Sequence, residues 1–236
     1  MSDAFVKLDA NPAATRRQAI RAIAASLMSV GLLDLDAAQQ VHHEAAASKA
    51  SGPYQPKAFG EHEYKTLRRL AELIVPADEV SGSAVDAGAP EFIDVLSAEN
   101  TKLADIFHGG IAWLDAEMLR RHAKTFVDCA AAHQTAMLDR LVAAEREERD
   151  RRGEELVYRR SDDYRGFSGY TVERQNPLAA GAKFFDWVRK MSVDAFYTSP
   201  IGVKDIGYVG NRAWSKYEAP KEAIDYAMRR SPFPSA

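Results

Sequence analysis

Apolar residues recur along this chain at intervals of three and four, and nowhere do they sustain the residue-by-residue alternation of a half-buried strand. That regularity predicts an all-α fold. Gly-, Pro- and Ser-rich stretches between the periodic runs make it an irregular helical bundle with long loops. From Glu61 to Val75, Tyr64, Leu67, Leu70, Ala71 and Ile74 share one face of a helix that Pro76 ends. The loop ADEVSGSAVDAGAP follows, and Pro90 opens a short helix over Glu91–Ala98. Leu103, Ile106, Phe107, Gly110, Trp113 or Leu114, and Met118 keep helical spacing. The Gly109-Gly110 pair inside that run costs a helix ~1 kcal/mol per glycine and reads as a mark of close helix packing.

A further helix is expected from about Phe126 to Glu148, with Val127, Ala130, Ala131, Gln134, Leu138, Leu141 and Val142 on one face. It ends in the charged run EREERDRRGEE, read as a solvated helix terminus, and Tyr158–Gln175 is turn-like. Asn176-Pro177 starts the next helix, which runs to about Phe196. Its stripe of Phe184, Val188, Met191 and Ala195, flanked by Phe185, Trp187 and Phe196, makes it the central helix. Pro220–Arg229 forms a last short helix.

The N-terminus speaks to location. Thr15-Arg16-Arg17-Gln18-Ala19-Ile20-Arg21 precedes an uncharged run, Ala22–Leu33, that falls short of the ~20 apolar residues of a spanning helix. No membrane span is expected there. A paired arginine ahead of a short apolar segment matches the twin-arginine export signal, which makes Arg16 and Arg17 the candidate signal residues and the periplasm the expected destination. Ala19 stands where that signal usually has a large apolar residue, and Asp34 and Asp36 close the run early. An amphipathic helix with two exposed arginines fits the same residues. Ala45-Ala46-Ala47 offers an A-x-A cleavage site and Ala37-Ala38 a nearer one. Gln39–Lys57, rich in Ala and Ser and without helical periodicity after Glu44, reads as a linker. The chain thus divides into residues 1–47, export signal and linker, and residues 48–236, a single helical domain whose folded body begins near Phe59.

Chemistry-bearing motifs are missing. A formal net charge of -3 gives no drive toward nucleic acid. GYVGN lacks the GxGxxG spacing of a dinucleotide turn, and there is no CxxCH, phosphate loop or nucleophile elbow. Asp105-x-x-His108 only approaches a Glu-x-x-His metal pair, and His122 and His133, eleven positions apart, are too far separated to share an ion on one continuous helix. His42 and His43 read as solvated linker residues and His62 as a helix-surface residue. Cys129, the only cysteine, reads as a small packed side chain in an alanine-rich helix. No residue is assigned to catalysis, to a cofactor or to a metal.

FFDWVRKMSVDAFYTSPIGVKDIGYVGN combines a double aromatic on a helix, a Thr-Ser-Pro stop and spaced glycines. This segment resembles the C-terminal signature of the gluconate 2-dehydrogenase subunit 3 family. Leu67, Leu70, Leu73-Ile74-Val75-Pro76, Asp78-Glu79 and Gly88 ahead of Phe92-Ile93 look like the same family's opening helix and loop. The resemblance covers about Phe59 to Trp214, weakest in the charged middle. It implies a noncatalytic small subunit that pairs with a large FAD-containing subunit of the glucose-methanol-choline type, supports its maturation and carries its export signal. FAD then belongs to the partner, and a cytochrome c subunit often receives the electrons.

The segment after the central helix has two readings. Gly202, Tyr208, Gly210, Asn211 and Trp214 are the candidate partner-binding residues, with aromatic area and hydrogen bonds offered on a turning backbone. Alternatively, the segment folds back onto its own core. An independent helical enzyme with a noncovalent metal or flavin, and a cytoplasmic helical adaptor, are the competing functions.

Overall fold

A computed structural model of the chain describes residues 35–50, 52–161, 176–207 and 221–230, and all regular secondary structure among them is helical. The export segment before Leu35 lies outside the described residues. The helices are α1 (Leu35–Ala50), α2 (Glu61–Ile74), α3 (Ala89–Glu99), α4 (Thr101–His122), α5 (Ala131–Ser161), α6 (Ala179–Tyr197), α7 (Pro200–Asp205) and α8 (Lys221–Arg230). The contacts divide the chain after Ile206: α1 to α7 form one compact unit, and Gly207–Ala236, which contains α8, forms another. Taken by itself, α8 leaves Ile224 and Met228 about half exposed.

Local chemistry sets the helix ends. The Gly60 amide donates to Glu63 Oε2 (2.8 Å) at the start of α2, and the Leu103 amide donates to Asn100 Oδ1 (3.1 Å) at the start of α4. Pro90 sits in the first turn of α3, where a missing N–H costs nothing. Asn176 Oδ1 accepts from the Leu178 amide (2.9 Å), so the expected cap acts one turn ahead of α6 and the helix itself begins at Ala179.

α6 is the central element, packing against α2, α3, α4, α5 and α7. Its stripe of Phe184, Val188, Met191 and Ala195 is buried, as are Phe185 and Phe196. α4 and α6 interlock. An ideal Cβ on Gly110 of α4 would fall 2.0 Å from Phe184 Cδ2, and one on Gly181 of α6 would fall 2.0 Å from Trp113 Cζ3. Each helix therefore offers a glycine notch that receives an aromatic ring of the other. The close-packing reading of the glycine pair holds for Gly110 alone, because Gly109 meets nothing within 4 Å. Leu114 rather than Trp113 takes the fully buried position.

α3 is enclosed on every side: each residue from Ala89 to Ser97 is buried, Glu91 and Asp94 included. One of its covers is α1, and this corrects the linker reading of Gln39–Lys57. Leu35–Ala50 is a helix whose Ala38, Val41 and Ala45, at helical spacing, enter the core against α3. Alanine gives weak periodicity but strong helix propensity, so a narrow small-residue stripe resembles a spacer in sequence. α1 also crosses the expected boundary at residues 47 and 48.

Two further expectations change. α5 starts at Ala131, not Phe126, and continues through the charged run to Ser161. Its buried face is Gln134, Met137, Leu138, Leu141 and Ala144, while the Arg149–Glu145 pair (2.9 Å) shows the i,i+4 spacing that supports a charged helix. The segment after α6, read as a loop, contains α7.

Candidate functional site

At the end of α6 the backbone turns through Thr198-Ser199 into α7, and hydroxyl groups hold the turn. Thr198 Oγ1 donates to the Asp194 carbonyl (2.6 Å). Ser199 Oγ donates to the Phe196 carbonyl (2.6 Å) and accepts from the Gly202 amide (3.2 Å), capping α7. Gly202 lies directly on α6: a Cβ there would sit 2.1 Å from the Phe196 carbonyl oxygen. Only glycine permits that approach. The turn beyond α7 reaches Gly207 with φ of +64°, in the left-handed region.

α1 closes the corner from behind. Because the Thr198 hydroxyl proton is directed at Asp194, His42 Nε2 is the donor in its 3.0 Å contact with Thr198 Oγ1. The His42 ring lies tilted against Phe92, with centroids 4.8 Å apart. Burial pushes its pKa down to about 4, opposed by a backbone hydrogen bond with Ala195 and reinforced by His43, so the ring is neutral at neutral pH. Burial pushes the nearby Asp194 carboxyl up, with Lys190 opposing. His42 is thus a packed, hydrogen-bonded residue, not the solvated linker histidine expected.

Outward, the corner exposes two large apolar side chains beside Lys204. Tyr197 just before it is 42% exposed and Ile206 just after it 58% exposed, whereas neighbouring Phe196 is buried and meets the Tyr197 ring edge-on at 5.0 Å. Among the expected partner-binding residues, Gly202 is here and touches its own helix. Tyr208, Gly210, Asn211 and Trp214, like Arg16 and Arg17, lie outside the described residues.

Behind the corner, α3 presents two buried carboxylates one helical turn apart. Asp94 accepts from the Tyr54 hydroxyl (2.6 Å) and from the amides of Lys57 (2.8 Å), Ala58 (2.9 Å) and Phe59 (3.3 Å), which pins the 54–59 segment. Glu91 pairs with Lys49 of α1 (2.8 Å), accepts from the Tyr64 hydroxyl (2.9 Å) and lies 3.8 Å from Arg68. Burial and the neighbouring carboxylates raise the pKa of both tyrosines, keeping them protonated donors. Sequence reasoning missed this pair. Two acids three apart inside the apolar run PEFIDVLSA were the available sign, since buried charges need partners.

The other titratable groups are structural in their contacts. His62 pairs with Asp115 (2.6 Å) and His108 with Glu63 (2.6 Å). His122 and His133 do not share the one continuous helix on which they would stand too far apart. The chain reverses between α4 and α5 instead, and the two rings stack with centroids 4.0 Å apart and planes 10° from parallel. Each imidazole ligates in its own plane, so stacked faces do not aim at a shared ion. Cys129 lies in that turn rather than in a helix; burial raises its pKa, and its thiol lies 3.8 Å from the Lys124 carbonyl. Among the described residues, no three His, Cys, Asp or Glu side chains gather as metal ligands.

A family model described as gluconate 2-dehydrogenase subunit 3 matches residues 61–218, which takes in α2 through the α6–α7 corner. The chain belongs to the gluconate 2-dehydrogenase subunit 3 family. Neither a curated protein nor a solved structure matches it. Membership in a family of subunits implies partner subunits, and among the described residues no helix is long and apolar enough to cross a membrane. The family match begins at Glu61, so α1 and the segment that Asp94 pins lie outside it.

Proposed function

We propose that this gluconate 2-dehydrogenase subunit 3 family member is the noncatalytic small subunit of a flavin-dependent dehydrogenase of the glucose-methanol-choline type, acting on a sugar, sugar acid or glycoside. The FAD resides in the large partner subunit, and a cytochrome c subunit takes the electrons. The observation that carries the reading is the family match running through the α6–α7 corner, where Tyr197 and Ile206 are exposed on a turn fixed by hydroxyl caps. A rigid corner with exposed apolar side chains loses little entropy when it is covered, which favours docking. The chain continues from that corner into Tyr208, Asn211 and Trp214, the residues expected to extend the contact.

By binding only the folded large subunit, the small one stabilises it through linkage, and pairing before export lets Arg16-Arg17 direct both chains to the periplasm by the twin-arginine route. Co-expression with the flavoprotein tests this. Tyr208→Ala with Trp214→Ala is expected to reduce co-purification by at least tenfold while the melting temperature of the isolated chain changes little. Undiminished assembly together with a destabilised isolated chain would show instead that these side chains fill its own core. Arg16→Lys with Arg17→Lys should leave assembly intact and keep the complex in the cytoplasm. Sustained substrate oxidation by the isolated chain would favour an independent enzyme and defeat the accessory role.

A further inference from the structure

We infer that α1 is retained in the mature subunit as the brace of the α6–α7 corner, so that removal of any leader stops before Leu35. The inference about processing rests on the export reading above; the inference about the brace stands on packing alone. An A-x-A peptidase takes the residues ahead of the cut in extended form. Ala45-Ala46-Ala47 lies within helix α1, with Ala45 only 4% exposed, and Ala38 of the nearer candidate pair is fully buried. Extending either stretch would pull Ala38, Val41 or Ala45 out of the core.

The side chains around this stripe tie α1 to three other places. Lys49 reaches Glu91 (2.8 Å), Glu44 reaches Lys57 (3.2 Å), and His42 reaches Thr198 (3.0 Å). α3, buried along its length, loses a cover without α1, and the Thr198 turn loses the ring behind it. Taken alone, the family-matched residues 61–218 would leave Asp94 without the Tyr54, Lys57, Ala58 and Phe59 donors and Glu91 without Lys49. A buried carboxylate stripped of its donors is strongly destabilising. The functional body of this chain is therefore larger than its family match and takes in α1.

Limited trypsin digestion of the full chain reads the brace. Lys49 and Lys57 should resist cutting, so that the lasting core still contains α1; a stable core that begins at Ala50 would overturn the inference. In the full chain, Val41→Asp should lower the melting temperature by roughly 10 °C, while Gln40→Asp on the exposed side of α1 leaves it nearly unchanged. The milder His42→Ala is expected to speed amide exchange at Gly202 and Val203 at least tenfold, and unchanged exchange would sink the link to the corner. Intact mass of the exported chain reads processing: an N-terminus at or before Leu35 agrees, and one at Ser48 contradicts. A chain that never leaves the cytoplasm would defeat the export reading and leave the trypsin pattern to decide the brace.

Discussion

Two helix pairs in this core are joined by opposite means. α4 and α6 meet through an exchange of rings and notches, Phe184 over Gly110 and Trp113 over Gly181. α1 and α3 meet through a narrow alanine and valine stripe framed by polar contacts, with Lys49 on Glu91 and His42 behind Phe92. The first joint depends on shape and tolerates no added volume. The second depends on charge and protonation, so it responds to pH and to the loss of single hydrogen bonds. Close-packed cores forgive neither kind of error, but they report it in different experiments.

The largest effect should come from filling a notch. In Gly110→Val, the new side chain starts 2.0 Å from Phe184 Cδ2, and that ring is buried and held edge-on to Phe107 at 6.0 Å. Overpacking by single methylenes already costs ~1–3 kcal/mol, so three carbons beside the backbone should abolish cooperative thermal unfolding. The neighbouring Gly109 is the control. Nothing lies within 4 Å of it, so Gly109→Ala should stabilise α4 by ~0.5–1 kcal/mol and raise the melting temperature slightly. A Gly110→Val protein that melts like the parent would end the interlock account.

The next effect belongs to the polar joint's foundation. Asp94→Ala removes the acceptor of the Tyr54 hydroxyl and three amides, and should cost about 3 kcal/mol in denaturant unfolding. Asp94→Asn keeps one acceptor oxygen but turns an NH2 group toward donors, and should recover only part of that loss. Equal stability of the two variants would mean that the 54–59 segment is not pinned by this carboxylate.

How far the sequence could be read follows the same division. The α6 stripe, the α2 face and the start of α3 were legible because large apolar residues repeat at helical spacing and Pro90 marks a helix start. The Gly110 notch was half legible: glycine in a helix flags a close neighbour but not which ring fills it. α1 was not legible, since Ala38, Val41 and Ala45 are too small to raise the periodic signal above that of a spacer. Asp94 and Glu91 were half legible for another reason: two acids inside the apolar run PEFIDVLSA signal a need for partners, but those partners come from residues 49–68, which no local pattern names. At the corner, Ser199-Pro200 spells a helix cap and first turn, but three glycines nearby give the same stretch the composition of a loop.

A pH titration sharpens the comparison on the α1 side. The unfolded chain takes up a proton on His42 near its ordinary value of ~6.5, whereas burial delays uptake in the folded chain to about pH 4. The unfolded state therefore binds more protons between those values, so this contribution is fully present above about pH 6.5 and is lost as pH falls toward 4. The loss amounts to at most ~3 kcal/mol. His42→Gln should flatten that part of the stability profile, while Gly109→Ala shifts the whole profile upward without changing its slope. A parent chain whose denaturation midpoint is constant from pH 7 to pH 4.5 would show that His42 carries no such linkage.

The smallest effect tests whether the corner is a rigid product of both joints or merely the frayed end of α6. Ser199 is buried, and its hydroxyl both donates to Phe196 and receives the Gly202 amide. Ser199→Ala should cost ~1 kcal/mol, the usual worth of a helix cap, but α7 is a six-residue helix at the edge of its unit. The loss should therefore appear as local opening: amide exchange at Gly202 should quicken about fivefold, while the global unfolding midpoint moves little. Ser199→Thr retains the hydroxyl and should restore most of the protection. If the corner is what a partner covers, its added mobility must be suppressed on binding, and the affinity should weaken by a similar factor. Fivefold faster exchange with unchanged affinity would place the contact elsewhere on the subunit.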